Sequence, residues 1–73
     1  FLVSGALNLS QVRERVGFQA QATEDYQTLA GLVMSLLDRL PRKGDTLQWD
    51  GWDMTVTEVE ERRVTRVLLR KPA

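Results

Sequence analysis

Residues 25 to 41, DYQTLAGLVMSLLDRLP, hold most of the chain's consecutive apolar residues and place a glycine among them. Spanning a bilayer takes about 20 apolar residues in succession, and this run meets Asp38 and Arg39 well before that. Its polar side also lacks the Lys and Arg of a helix lying in a membrane surface. The segment therefore reads as the central helix of a small core. The expected span is Tyr26 to Leu40. Asp25 is placed to accept from the free N–H groups of the first turn, and Pro41 stops the run by disfavouring helical backbone at Leu40. At roughly 100° per residue, Leu29, Leu32, Val33, Leu36, Leu37 and Leu40 fall within an arc of about 140°, the stripe of a helix laid on a sheet. Ala30 and Met34 widen one edge, and Gly31, Ser35 and Asp38 lie opposite.

Glycine inside a helix costs about 1 kcal/mol relative to alanine, so propensity does not account for Gly31. Either it is a tolerated exposed residue, or Gly31 and Ser35 form a shallow groove that another backbone approaches closely. The first strand and its loop are the nearest candidates for that approach.

The opening FLVSGALNLS reads as a strand bent at Gly5. From Asn8 the period changes: Leu9, Val12 and Val16 share one helical stripe, Asn8 or Ser10 caps its start, and Gly17 ends it. Phe18 is expected to fold back on that helix's last turn, and QAQATED is a polar connection. After the loop PRKGD come three strand candidates, TLQW, WDMTVTEV and RVTRVLLR. Asp50 and Gly51, between Trp49 and Trp52, are the strongest hairpin signal, since a type I′ turn needs positive φ at both central positions. The link EERR has no glycine and no evident turn type. Trp52, Met54 and Val56 alternate, whereas Val59 is out of phase, which a bulge near Thr57 or Glu58 repairs. Arg70 to Ala73 read as a fraying tail. The expected architecture is α+β: strand, helix, helix, then a three-stranded antiparallel meander, with the helices on one face.

With 73 residues, the chain is one domain that buries only about 60% of its extended surface. Its 42% hydrophobic and 27% charged residues fit a globular domain. Ten basic residues balance ten acidic ones, so no net field steers it to nucleic acid or anionic lipid. The arginines near the end of the chain are interleaved with Glu58, Glu60 and Glu61. There is no histidine and no cysteine, which removes zinc, triad and relay chemistry. Asp50 and Asp53, or the three glutamates, sit in or beside turns, where water keeps carboxylates ordinary, and Asp45, Asp50 and Asp53 do not match a calcium loop. LAGLV has one glycine within a helix rather than several ahead of it, so it is no phosphate cradle. Trp49 and Trp52 read as a cross-strand pair, with stacking on a base or flavin as the alternative. A start at Phe1 rather than Met suggests a piece of a longer protein, and no signal peptide is visible.

Three stretches, FLVSGALNLSQV, EDYQTLAGLVMSLLDRLPRKGD and WDMTVTEVEERRVTRVLL, together resemble the transporter-associated domain at the C-terminus of CorC/HlyC-type proteins, the bacterial magnesium and cobalt efflux or hemolysin-related group. The middle stretch is the most specific, being close to the family's acidic-Asp-Tyr-Asp-Thr-Leu-Ala-Gly, a helix, and Pro-x-x-Gly-Asp. The motif positions are Gly5, Asp25, Tyr26, Thr28, Leu29, Ala30, Gly31, Pro41, Gly44 and Asp45, and their expected role is structural. Ser4 replaces a usual Asp, Gln27 the second motif Asp, and Glu61 the usual glycine of the last turn.

The resemblance implies a cytoplasmic accessory domain that follows a transmembrane region and a CBS pair, and a fold resembling part of a flavin-binding oxidase. The expected function is non-enzymatic regulation of ion transport through contacts with other domains of the parent or with a second copy as a homodimer. No cofactor is expected in this stretch. The alternative is a module for flavin adenine dinucleotide or another adenine nucleotide at Trp49 and Trp52.

Overall fold

In a computed structural model, which describes residues 1–72, the chain runs β1 (Leu2–Ser4), α1 (Leu9–Val16), α2 (Leu29–Leu37), β2 (Thr46–Trp49), β3 (Trp52–Glu60) and β4 (Arg63–Arg70). The four strands form one antiparallel sheet in the order β1-β4-β3-β2. The expected meander is present, and β1 joins it as a fourth strand beside β4. Both helices lie on one face of the sheet. Val3, Trp52, Met54, Val56, Val64, Val67 and Leu69 from the sheet meet Leu9, Val12, Leu29, Leu32 and Val33 from the helices, and Phe18 and Ala20 from the connection complete the core.

Alternation explains the sheet. On β3, Trp52, Met54 and Val56 are buried while Asp53 is exposed and Thr55 half-buried. The register slips on both sides of Glu58, where a bulge is expected. The Thr57 and Thr65 hydroxyls lie buried there with no hydrogen-bond partner among the described residues. Asp50 and Gly51 have φ of 50° and 83°, the positive pair that a two-residue I′ hairpin requires. The second hairpin uses the same solution without a glycine: Glu61 and Arg62 have φ of 50° and 68° and join the paired residues Glu60 and Arg63. Arg70 belongs to β4 rather than to a tail. Past it, Lys71 lies 5.3 Å over the Phe1 ring, and Ala73 is outside the described residues.

α1 starts at Asn8, whose side chain accepts from the Gln11 N–H, while the Gln11 side chain accepts from the Asn8 N–H, a reciprocal capping box. Gly17, at φ 81°, ends it in the left-handed conformation. Phe18 reaches the tryptophans of the first hairpin. It is fully buried, with its ring 5.2 Å from Trp49 and 5.4 Å from Trp52.

α2 is shorter at both ends than the sequence suggests. Its cap is Thr28, whose Oγ1 accepts from the Gly31 N–H at 3.1 Å, and not Asp25. Residues 23 to 26 are instead folded into a compact turn: the Asp25 N–H donates to Thr23 Oγ1 and the Thr23 N–H to the Tyr26 carbonyl, an alternative that Thr side chains offer the backbone. At the far end the helix stops at Leu37, with Asp38 left-handed at φ 54°. Pro41, which disfavours helical backbone at Leu40, lies beyond that end rather than at it. Leu36 and Leu40, expected within the buried stripe, are 43% and 59% exposed. The core ends before the stripe does.

The cap assignment is checked by substitution. Thr28→Ala is expected to destabilise the domain by about 1 kcal/mol, and Asp25→Ala to stay within about 0.5 kcal/mol of the parent chain, both read by urea unfolding. The reverse ranking would restore Asp25 as the cap.

Candidate functional site

Five of the motif residues, Gly5, Thr28, Leu29, Ala30 and Gly31, converge where β1, its loop and the start of α2 meet β4. The first N–H groups of a helix have no partner within it. Here the Leu29 N–H donates to the Leu7 carbonyl and the Ala30 N–H to the Gly5 carbonyl, each at 3.0 Å, and the Gly31 N–H goes to Thr28 Oγ1. The Leu9 N–H returns to the Gln27 carbonyl, so Asn8 and Thr28 form a small antiparallel bridge between the two helix starts. Gly5 also donates its own N–H to the Thr65 carbonyl at 2.9 Å. These bonds occupy the donors that a helix start would otherwise present to a phosphate.

Two glycines of the motif are explained by contact. A Cβ on Gly5 would collide with the Val64 carbonyl oxygen and lie 3.2 Å from the Ala30 Cβ. Glycine is required there because β4 backbone and α2 press on it from two sides. At Gly31, a Cβ would lie 3.1 Å from the Tyr26 Cβ and 3.3 Å from Thr28 Oγ1. What closes over Gly31 is the Tyr26 Cβ and the Thr28 hydroxyl, with the Tyr26 Cα at an ordinary 3.6 Å, and not the backbone of the first strand. The first strand's loop meets Ala30 instead, and Ser35 stays exposed. Beside this junction Ala6, Ala30, Met34 and Val64 line an open, mostly apolar groove with Arg63 at its rim.

Gly44 and Asp45 form a second node, in the same loop as the buried Pro41. The Arg39 guanidinium donates to both Asp45 carboxylate oxygens, at 2.8 and 3.1 Å, and the Arg42 N–H donates to the same carboxylate at 2.7 Å. On the backbone, the Gly44 N–H donates to the Val56 carbonyl and the Val56 N–H to the Asp45 carbonyl. The loop is thereby stitched to β3 just ahead of β2. The Arg39 hydrogen bonds, followed by the Arg42 N–H, hold the Asp45 carboxyl below the ordinary carboxylate range. Arg39 was not singled out by sequence, since a pair six residues apart across an irregular loop follows no period.

Trp49 and Trp52 are opposite each other across the first hairpin, as expected. The Phe18 ring packs against both, and Trp52 is 6% exposed while Trp49 is half-buried. Asp53 accepts from the Gln48 side chain at 2.8 Å and Glu58 lies 3.4 Å from Arg66, so these carboxylates are engaged on the sheet. Among the described residues, no three side chains of the metal-ligating types come together. No helix among the described residues is long and apolar enough to cross a membrane.

The transporter associated domain family, CorC_HlyC, matches residues 1–73. The chain belongs to this family. It is 37% identical to the magnesium and cobalt efflux protein CorC of Salmonella typhimurium over 49 residues, 67% of this chain and 17% of that protein. The chain thus spans less than a fifth of that relative's length. The CorC_HlyC domain of a Xylella fastidiosa hemolysin, solved in complex with magnesium and manganese ions, superposes with a TM-score of 0.83 at 32% identity, covering 100% of this chain and 87% of that one. The domain from a CBS domain protein of Porphyromonas gingivalis does so with a TM-score of 0.77 at 28% identity, over 90% of this chain and 80% of that one. The α+β fold with its four-stranded sheet is therefore the family's.

Contact at the glycines sets an order of tolerance. Gly5→Ala is expected to destabilise by about 2 kcal/mol or more, since backbone rather than a side-chain end must move. Gly31→Leu should lower stability by about 1–3 kcal/mol despite leucine's better helix propensity. A melting temperature for Gly31→Leu equal to or above that of the unsubstituted chain would refute the close approach of Tyr26.

Asp45 carries a pH signature. Its carboxyl is held below the ordinary value of 3.8, so its contribution is present above that value and is lost as pH falls through the lower folded one. Asp45→Asn is expected to lower the melting temperature at neutral pH, with the gap closing on acidification below about pH 4. A gap independent of pH would mean that the charge on Asp45 does not matter.

Proposed function

We propose that this domain is a non-enzymatic accessory element of a CorC-type magnesium and cobalt efflux protein, carried on the cytoplasmic side of the inner membrane, and that it modulates transport by docking against neighbouring domains such as a CBS pair. The observation that carries this reading is the use to which the motif is put. Gly5, Thr28, Ala30, Gly31, Gly44 and Asp45 make internal contacts, and none presents a free reactive group. A domain whose family signature is spent on shape acts through its surface. The family match and the likeness to CorC support a transport context for that surface.

The reading is tested in membrane vesicles that carry a full-length parent protein, with and without this domain, by following magnesium movement with a fluorescent indicator. Transport is expected to persist without the domain but with a shifted dependence on cytoplasmic magnesium or adenine nucleotide. An unchanged dependence would overturn the regulatory role. Complete loss of transport, with the truncated protein still correctly inserted, would make the domain part of the transport path and overturn the accessory role as well.

A further inference from the structure

The helices cover one face of the sheet and leave the other bare. Its residues are set by the strand register, because side chains of directly paired residues stand on the same face. A central row runs from edge to edge as Leu2, Leu68, Thr55 and Thr46. To one side Arg66 on β4 stands beside Glu58 on β3, and to the other Arg70 on β4 stands beside Asp53 on β3. None of these residues is buried, and Leu2 is 56% exposed.

Both flanking rows have the arginine on β4 and the carboxylate on β3, and this makes the face complementary to itself. A two-fold axis parallel to the strands, between β3 and β4, lays β4 of one copy over β3 of another without changing the level of any row. Arg66 then faces Glu58 of the second copy, Arg70 faces its Asp53, and Leu68 and Leu2 cover its Thr55 and Thr46. Each contact occurs twice, as an isologous interface demands. Sheets that pack in this way lie about 10 Å apart and are turned by about 30°, a displacement that the long arginine side chains can follow. A different partner would have to supply this alternation independently, whereas a second copy has it already.

We propose that the uncovered face of the sheet is a docking surface for a second copy of this chain, held by reciprocal Arg66–Glu58 and Arg70–Asp53 pairs around Leu68. The proposal rests on the interaction-domain reading above and names one partner for it. Because the charge pairs are solvated at the rim, the dimer should weaken as salt rises.

Sedimentation equilibrium of the 73-residue chain over a concentration series, at low and high salt, is the primary test. A salt-sensitive monomer–dimer equilibrium is expected, and a monomer at every concentration overturns the proposal. Two charge-reversed variants make the geometry testable: Arg66→Glu with Arg70→Glu, and Asp53→Arg with Glu58→Arg. Each alone should dimerise about tenfold more weakly or worse, and an equimolar mixture should recover association, because only the mixed pair places opposite charges across the axis. Circular dichroism verifies that each variant is folded. Should either be unfolded, Leu68→Glu on the same face gives the second measurement and should also abolish the dimer. A dimer unaffected by Leu68→Glu, or variants that do not recover on mixing, overturns the proposed face. A monomeric chain whose removal still shifts transport by the parent protein refutes the dimer and leaves the accessory role standing.

Discussion

The fold depends on the way α2 begins. Its free N–H groups are taken by the carbonyls of Gly5 and Leu7, and Gly5 is in turn pressed against the backbone of Val64 and bonded to Thr65. One short loop thereby fixes three elements at once: β1 at the sheet edge, α2 over the sheet, and β4 beneath. In so small a chain a buried helix end without partners would be a heavy penalty. Satisfying it with a neighbouring loop removes that penalty and sets the angle at which α2 crosses the sheet.

The second node has the same logic at the other end of α2. The Asp45 carboxylate gathers Arg39 and the Arg42 N–H, while its backbone and that of Gly44 pair with Val56. The irregular chain between helix and sheet is given a defined shape there without any core of its own. A family signature made of such nodes marks a scaffold. The surfaces left open around it are the groove beside Met34 and the bare face of the sheet.

Much of this was legible in the sequence because it rests on local rules. Asp50 and Gly51 announced their hairpin through the positive φ that their turn needs, Gly17 its helix end, and the phase error at Val59 its bulge. The errors have a common cause. Asp25 is a good cap by residue type, yet a local turn at Thr23 and the bridge between Asn8 and Thr28 decide where the helix starts. Leu36 and Leu40 continue a faultless stripe, yet nothing in the core reaches them. The second hairpin takes a I′ turn without glycine because the paired residues Glu60 and Arg63 impose it.

By itself the sequence determined the elements, the α+β class, the absence of histidine and thiol chemistry and, through its motif, the family. Periodicity, turn chemistry and residue inventory are properties of short stretches, so they can be read without knowing what packs on what. Only the tertiary structure decided that β1 pairs with β4, that Tyr26 closes over Gly31, that Phe18 packs against both tryptophans, and which charges share the open face. Those are contacts between residues far apart in the chain, fixed by register and by the requirement that each buried donor find an acceptor.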